Sequence, residues 1–280
     1  MPRIYRWNSK GAVKAVTVLS ALAASGYAAV LAGLYVGQER LIFPSTPLPA
    51  DHRFRFDEPF EEMRVPVEGA SLDALLFRQP APRGLVFFLH GNRGNLQTWT
   101  TGLDFYRHVN YDLFIFDYRG YGRSGGTIES EAQLVADVRA AWNAIAPRYR
   151  GKPIVIYGRS LGSGLAARLA RDVVPSLLVL VSPYASLVEA GLRRYPFVPS
   201  WLVKYPLRTD EILPEVTSPV LILHGSDDRL IPPGDSERLK ALVRSPSELL
   251  MIDGAGHSDI HRHPRYLDAL AERLIRAAGG

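Results

Sequence analysis

The pattern of hydrophobic and polar positions divides the chain into two regions of different character. Residues 15–36 form an uninterrupted run of 22 uncharged, mostly apolar residues. A helix of that length spans the hydrocarbon core of a bilayer. From residue 63 onward, short apolar runs are separated instead by polar loops and amphipathic segments. These short runs predict strands at 63–67, 72–77, 84–89, 113–116, 154–157, 177–181, 220–223 and 249–252.

Helical periodicity follows several of these predicted strands. Ser130 and Gln133 have the spacing of a capping box, and apolar residues then recur at helical spacing as far as position 145. Further helices are predicted at 161–170, 237–243 and 265–277. Strands that alternate with helices predict an α/β fold with a mostly parallel, doubly wound sheet. Its ligand site is expected at the carboxyl ends of the strands.

The net charge of +5 is concentrated at the N-terminus. Arg3, Arg6, Lys10 and Lys14 all precede Glu39, the first acidic residue, so the remainder of the chain carries only +1. This distribution gives no support to nucleic-acid binding. A basic flank before a long apolar run instead predicts a cytoplasmic N-terminus, with everything downstream exported.

Three segments are therefore expected in the chain. Residues 1–38 form the cytoplasmic flank and membrane anchor, residues 39–62 form a Pro-rich linker, and residues 63–280 form the α/β domain, with an aromatic insert at 184–213. The alternative is a cleavable signal peptide ending near Ala24, which would leave a secreted domain. The apolar run continues another dozen residues beyond that point, which favours the uncleaved anchor.

The segment from residue 154 to 162 carries the clearest chemical motif. Four apolar residues lead into Gly158-Arg159-Ser160-Leu161-Gly162, and a helix rich in small residues follows. Strand, sharp turn and helix around Gly-x-Ser-x-Gly are typical of a nucleophile elbow. The glycines allow strand and helix to pass close to the turn. Ser160 is therefore the predicted nucleophile.

The donors that stabilise a developing oxyanion are predicted from two turns. His90-Gly91-Asn92 follows the third predicted strand, where the backbone N–H of Asn92 is available as one donor. The N–H of Leu161, the residue after the nucleophile, is the second donor. His90 itself is expected to hydrogen-bond within its loop rather than to transfer protons.

An acid and a histidine must follow the nucleophile in the chain to complete a triad on this fold. Asp228 lies a few residues after the strand at 220–223, and Asp227 is its direct competitor. His257 follows the last strand in a glycine-containing loop that can reach Ser160, and is the predicted base. His261 is spaced from His263 as metal ligands can be, but no carboxylate or cysteine set accompanies them, so an exposed pair is expected. The absence of cysteine excludes disulfides and thiol catalysis.

Taken together, these motifs resemble the α/β-hydrolase superfamily over the whole globular part. The chain is similar to its membrane-anchored serine hydrolases, in the bud-emergence-related, serine aminopeptidase-like and lysophospholipase-like branch. The segments that carry the resemblance are FFLHGNRGN, FDYRGYGRSGG, YGRSLGSG, YPFVPSWLVKYP, ILHGSDDRLIP and GAGH. Position by position, the resemblance assigns Ser160, Asp228 and His257 as nucleophile, acid and base. It implies no metal and no cofactor.

The expected activity is hydrolysis of carboxylic esters or thioesters through an acyl-serine intermediate, with lipid-like acyl substrates favoured. One alternative is a serine aminopeptidase, which needs a carboxylate for the substrate's free amine, and Glu189 is the insert acid placed for that role. Another is a catalytically idle, anchored interaction protein. The insert is expected to cap the pocket and to face anionic lipid with four cations, or else to turn those charges to water: Arg193, Arg194, Lys204 and Arg208.

Overall fold

A computed structural model describes residues 9–279 of the chain. Arg3 and Arg6 of the predicted basic flank lie outside this range. The first element is helix α1, Ser9–Ile42, which at 34 residues is about 51 Å long. Within the described residues it is the one helix long and apolar enough to cross a membrane, and its most apolar stretch contains no buried residue.

A single eight-stranded sheet forms the centre of the domain. Its strand order is β1-β2-β4-β3-β5-β6-β7-β8. β2 pairs antiparallel with β1 and β4, and every other pairing is parallel. The prediction of a mostly parallel, doubly wound sheet is therefore confirmed. The strands are β1 Phe60–Val67, β2 Ala70–Phe77, β3 Leu85–Leu89, β4 Asp112–Phe116, β5 Ile154–Arg159, β6 Leu177–Val181, β7 Val220–Gly225 and β8 Ser247–Ile252.

Helices cover both faces of this sheet. Alternate residues of each strand point to opposite sides, and both sides are apolar, so each side needs a covering layer. The remaining α-helices are α2 Leu96–Trp99, α3 Leu103–Val109, α4 Glu131–Ile145, α5 Leu161–Val173, α6 Leu187–Arg194, α7 Thr209–Ile212, α8 Pro233–Leu242 and α9 Pro264–Ala278. Short 3₁₀ turns occur at Ala146–Tyr149, Ser200–Leu202, Leu213–Glu215 and Ile260–Arg262. The sequence pattern predicted α4, α5, α8 and α9 but neither α2 nor α3.

Two hydrophobic cores result, one on each face. Leu85, Phe87 and Leu89 of β3 point into the core that contains α4 and α5. Val86 and Phe88 point into the other core, formed with α2, α3 and α9. Ser130 begins α4 as predicted: its hydroxyl accepts a hydrogen bond from the Gln133 N–H at 3.1 Å.

The segment between α1 and β1 is packed onto the domain. Phe43 and Phe54 are both buried, and short backbone bridges join Ser45 to Gly94 and Pro47 to Gly122. The part of the chain predicted as a linker is therefore ordered by contacts with the α/β domain over most of its length.

Candidate active site

The strand–helix turn at Ser160 has the geometry that a nucleophile elbow requires. Ser160 has φ 52° and ψ −119°, and its side chain does not cap α5. A non-glycine residue in this region is strained by about 1–3 kcal/mol, and such strain concentrates at functional sites. A Cβ at Gly162 would lie 2.1 Å from the Leu89 carbonyl oxygen, and one at Gly158 would lie 2.5 Å from the Gly162 oxygen. Both glycines are therefore required by close backbone contacts.

The structure brings the three predicted triad residues into one hydrogen-bonded chain. His257 Nε2 lies 3.0 Å from Ser160 Oγ, and His257 Nδ1 lies 2.7 Å from Asp228 Oδ2. Each residue directly follows a strand or stands in the loop after one: β5 for Ser160, β7 for Asp228 and β8 for His257. The arrangement allows the imidazole to accept the serine proton while the carboxylate orients the ring.

Asp228 is held as a carboxylate by donors on both of its oxygens. Oδ1 accepts from the N–H groups of Leu230 and Ile231, each at 2.9 Å. Oδ2 lies 2.7 Å from His257 Nδ1 and 3.2 Å from His224 Nε2. Burial alone would raise the pKa of Asp228, but the hydrogen bonds from His224, His257 and Ile231 outweigh it and hold that pKa well below its usual value. Asp227, its competitor, is exposed, and its carboxylate accepts a long hydrogen bond from Ser226 Oγ at 3.3 Å.

His224 is a supporting residue whose role was not predicted from the sequence. Its Nε2 lies 3.0 Å from the Ile231 carbonyl oxygen as well as 3.2 Å from Asp228 Oδ2. Both neighbours only accept, so Nε2 carries the hydrogen. Nδ1 lies 2.6 Å from Ser236 Oγ. His224 therefore holds the loop from Asp228 to Ile231 in place. Its position at the end of β7, close to Asp228 in the sequence, could have indicated this role.

The two predicted oxyanion donors are free of other acceptors. Among the described residues, no acceptor bonds the backbone N–H of Asn92 or of Leu161. Leu161 is the first residue of α5, where backbone N–H groups have no intrahelical partner. A Cβ at Gly91 would lie 3.6 Å from Ser160 Cβ, which brings the peptide before Asn92 alongside the nucleophile.

Buried polar groups contact the loop that carries Asn92 on its protein-facing side. His90 Nδ1 lies 2.7 Å from the Gly91 carbonyl oxygen, and His90 Nε2 lies 3.4 Å from Asp117 Oδ1. Burial raises the pKa of Asp117, whose other oxygen accepts from the Leu96 N–H at 3.2 Å. Tyr121 donates to the Asn92 carbonyl oxygen at 2.8 Å. These contacts give His90 a structural position within the loop.

Arg159 links the nucleophile turn to the histidine loop, which sequence reasoning missed. Its Nη2 donates to the carbonyl oxygens of His257 and Ser258, each at 3.1 Å. Its Nη1 donates to His261 Nδ1 at 3.1 Å, and its guanidinium lies 5.3 Å from the Trp99 ring centre. Its position directly before Ser160 in the motif was the feature of the sequence that could have indicated this role.

His261 is not the freely exposed residue that the sequence predicted. It is half-buried, and burial together with Arg159 and Arg262 lowers the pKa of His261 to about 4. A neutral ring accepting a hydrogen bond from Arg159 does not offer that nitrogen to a metal. In the described part of the chain, no group of three or more His, Asp or Glu side chains is arranged to hold a metal ion.

A cavity of about 880 Å³ opens beside Ser160 and His257. It extends between the sheet and helices α3 and α9, on the face that holds the second hydrophobic core. Its apolar walls include Phe88, Leu113, Ile115, Tyr157, Leu267 and Leu270. Polar groups stand among them, with Arg93, Arg159, Arg262 and Asp104 on the lining.

The insert at 184–213 does not cover this cavity, contrary to expectation. None of the cavity-lining residues belongs to it, and its buried aromatic residues Tyr184 and Tyr205 join the core on the opposite face. Glu189 is paired with Arg238 at 2.7 Å and is absent from the cavity wall. The physical reason is that the insert packs against α1 and the residue after it instead: Gln38 of α1 donates to the Leu202 carbonyl oxygen at 2.8 Å, and the ring centres of Phe43 and Tyr205 lie 4.9 Å apart.

The insert's cations are mostly paired and do not form a free basic surface. Arg193 bonds Asp235 at 2.8 Å, Lys204 bonds Glu39 at 3.1 Å, and Arg208 bonds both Asp210 at 2.8 Å and Glu211 at 3.0 Å. Arg194 lies over the Tyr195 ring at 5.8 Å. The prediction of an anionic-lipid surface built from these four cations therefore loses its basis.

Comparison with known proteins identifies the family. Residues 80–209 match the model of the serine aminopeptidase S33 hydrolases. Alpha/beta hydrolase domain-containing protein 17B of Xenopus laevis is 33% identical over 199 residues, which are 69% of this chain and 67% of that protein. The chain belongs to the α/β-hydrolase family. The human 17B protein gives 32% identity over the same coverage, so the chain spans about two thirds of these relatives.

Solved structures agree with this assignment at the level of the fold. The α/β-hydrolase described here matches an esterase of Pyrococcus furiosus with a TM-score of 0.66 at 20% identity, covering 82% of this chain and 99% of that one. A monoacylglycerol lipase of Paleococcus ferrophilus matches with a TM-score of 0.57 at 18% identity, covering 74% and 99%. The fold and family predicted from the sequence are thus confirmed.

Proposed function

We propose that this α/β-hydrolase cleaves carboxylic ester or thioester bonds of lipid-like acyl substrates through an acyl-Ser160 intermediate. The observation that carries the proposal is the hydrogen-bonded chain Asp228–His257–Ser160 at the edge of the 880 Å³ cavity. An oriented imidazole within 3.0 Å of a serine hydroxyl in a strained turn is the arrangement that activates the hydroxyl as nucleophile.

The reaction proceeds in two halves. Ser160 Oγ attacks the substrate carbonyl carbon while His257 Nε2 takes the hydroxyl proton, and the negative oxygen is stabilised by the N–H groups of Asn92 and Leu161. Collapse expels the alcohol or thiol, which receives the proton from His257. Water then gives its proton to His257 and attacks the acyl carbon, and Ser160 is released with its proton restored. Asp228 stays ionised throughout and stabilises the imidazolium.

The cavity wall supports a long, apolar acyl group. Rings and aliphatic side chains from the sheet, α3 and α9 form most of the surface next to the nucleophile. Each methylene buried there contributes about 0.8 kcal/mol, so a long chain gains several kcal/mol over acetate. The related proteins named as an esterase and a monoacylglycerol lipase are in keeping with this preference.

A serine aminopeptidase is the second candidate, supported by the description of the matching family model. That reaction requires a carboxylate for the substrate amine. Glu189 is removed from the cavity, but the exposed Asp104 lies on its wall. Replacing Asp104 by Asn distinguishes the two: aminoacyl amide turnover falls in the variant if the enzyme is a peptidase, whereas ester turnover is unaffected.

The decisive experiment compares purified protein and Ser160→Ala on p-nitrophenyl esters, acyl thioesters, lysophospholipids and aminoacyl amides. We expect long-chain ester or thioester turnover and fluorophosphonate labelling in the native chain. Ser160→Ala loses on the order of 10⁴-fold in rate, with its fold retained. Native protein that neither labels nor turns over any substrate supports the alternative of an idle interaction protein, and variant activity within about tenfold of native excludes Ser160 as nucleophile.

For location, we propose a single-pass protein with a cytoplasmic N-terminus and an exported catalytic domain. Support comes from the uncovered apolar stretch of α1 and from the four basic residues that precede residue 15. An alkaline phosphatase fused after Gly280 is expected to be active, and a fluorescent protein that folds only in the cytoplasm is expected to be dark there. The reverse pattern refutes the topology. A mature N-terminus near Ala24 supports the cleaved signal peptide.

A further inference from the structure

The insert contains an uncharged segment with two large exposed side chains. Residues 195–203, here called the insert tip, read YPFVPSWLV and carry no charged side chain, between Arg194 and Lys204. Trp201 is 76% exposed and Phe197 is 50% exposed. Large aromatic side chains exposed together in this way mark a surface that contacts something other than water.

The insert tip lies directly against α1. Tyr27 Oη donates to the Phe197 carbonyl oxygen at 2.7 Å. Gln38 Nε2 donates to the Leu202 carbonyl oxygen at 2.8 Å, and Gln38 Oε1 accepts from the Lys204 N–H at 3.0 Å. The two contact points on α1 are eleven residues apart, or about 16 Å along the helix axis. The depth of the insert tip relative to α1 is therefore fixed.

That fixed depth has a consequence if α1 crosses the membrane as proposed above. About 20 helical residues are needed to span the hydrocarbon core. Counted from Ala15, the first residue after Lys14, such a span ends near Leu34. Tyr27 lies seven residues before that end, which is about 10 Å below the boundary. Phe197, bonded to Tyr27, lies at the same depth.

The opposite end of the contact has the polarity expected of the membrane surface. Lys204 Nζ lies 3.1 Å from Glu39 Oε1 and 4.3 Å from the centre of the Tyr35 ring. An ion pair beside a tyrosine is suited to the headgroup level. Both α1 and the insert therefore change from apolar, near Tyr27 and Phe197, to charged, near Glu39 and Lys204.

Part of the backbone of the insert tip needs no water as a hydrogen-bond partner. Pro196 and Pro199 have no N–H to satisfy. The N–H groups of Val198, Leu202 and Val203 donate within the segment, at 3.0, 3.0 and 3.2 Å. Irregular backbone beside a membrane helix requires such internal partners.

We propose that the insert tip enters the bilayer leaflet next to the catalytic domain, with Phe197 and Trp201 among the lipid acyl chains and Lys204 at the headgroups. The partner is the bilayer itself. This inference rests on the proposed single-pass topology and adds a second, non-helical membrane contact to it. Penetration of about 5–10 Å is the depth at which interfacial segments bury their apolar side chains.

Single-cysteine labelling tests the proposal cleanly because the chain contains no cysteine. The full chain carrying Trp201→Cys is nitroxide-labelled and reconstituted in phosphatidylcholine vesicles, at no more than one chain per vesicle. Collision rates with oxygen, which concentrates in lipid, and with a water-soluble nickel chelate then report the label's surroundings. Matched labels are placed at Val30→Cys on α1 and at Ile275→Cys on α9, both at exposed positions.

We expect the Trp201 label to resemble the Val30 label, with an oxygen-to-nickel ratio several-fold above that of Ile275. A Trp201 ratio equal to that of Ile275, with the Val30 label still in lipid, overturns the inference and leaves the anchor intact. The exposed aromatic side chains would then be assigned to a protein–protein contact. Aqueous ratios at both Trp201 and Val30 overturn the anchor and the inference together. Since the vesicles hold no other protein, oxygen preference at Trp201 can come only from lipid.

Discussion

Replacing Asp228 by Asn is the sharpest test of the catalytic geometry, because the two carboxylate oxygens have different partners. Oδ1 accepts from the backbone N–H groups of Leu230 and Ile231. An asparagine carbonyl oxygen keeps those two bonds by taking the same place. Its NH₂ group then occupies the Oδ2 position, which faces His257 Nδ1 at 2.7 Å and His224 Nε2 at 3.2 Å.

The consequence is a conflict between donors. His224 Nε2 must carry a hydrogen, and in the native tautomer His257 Nδ1 does as well, so the new NH₂ meets two N–H groups. His257 regains a bond only by moving its hydrogen to Nε2. In that tautomer Nε2 cannot accept the proton of Ser160. A loss of on the order of 10⁴-fold in kcat, or about 5.5 kcal/mol of barrier, is expected from the wrong tautomer.

The assay is steady-state hydrolysis of the preferred ester by Asp228→Asn, with Asp227→Asn as the matched control. Asp227 is an exposed neighbour with one weak side-chain contact, so its variant should retain activity within about threefold. Circular dichroism verifies that both variants are folded. If Asp228→Asn retained activity within about tenfold, or if Asp227→Asn were the more damaging change, the triad acid would have to be reassigned.

Three further changes test the supporting contacts. Arg159→Gln should lower kcat by roughly 10–100-fold with little change in KM for a short ester, because the histidine loop loses its anchor. The matched control Arg265→Gln, at an exposed position away from the cavity wall, should leave kcat unchanged. Because the pKa of His261 is about 4 in the folded chain and near 6.5 when unfolded, the contribution of His261 to stability falls as pH drops from 6.5 to 4. His261→Gln should reduce that fall by on the order of 1–2 kcal/mol in urea unfolding. Gly162→Ala should prevent folding at 37 °C or lower Tm strongly, whereas Gly234→Ala, with open space around it, should leave Tm unchanged or raised, as differential scanning fluorimetry would show.

The sheet and the grouping of the candidate catalytic residues were predictable because the relevant signals are local. A buried parallel strand is a short apolar run, and each run identified in the sequence became a strand with ends within three residues of the prediction. Ser160, Asp228 and His257 each stand just after such a run. Since the carboxyl ends of parallel strands share one edge of the sheet, three local signals were enough to predict one site.

The cavity was not predictable, because its wall is assembled from elements far apart in sequence. Leu113 comes from β4, Tyr157 from β5 and Leu270 from α9. Helices α2 and α3 also border it, and their four and seven residues are too few for a helical period to stand out. No pattern within any one segment indicates that these side chains face a common space.

The insert shows which kinds of signal can be read from a chain alone. Between Ala190 and Thr209 there is no acidic residue, so four cations looked free, yet Glu39 and Asp235 pair with two of them across more than 40 residues of sequence. The Lys204–Glu39 pair is partly exposed, and the Arg193–Asp235 pair joins a partly exposed guanidinium to a buried carboxylate, so both pairs depend on how the insert packs. The uncharged window 195–203 is a different kind of signal, because a whole segment without charge, like residues 15–36, favours apolar surroundings. Composition over a window thus carries the bilayer proposal for the insert tip, whereas the charges of the insert, taken one by one, led to a surface that the structure does not have.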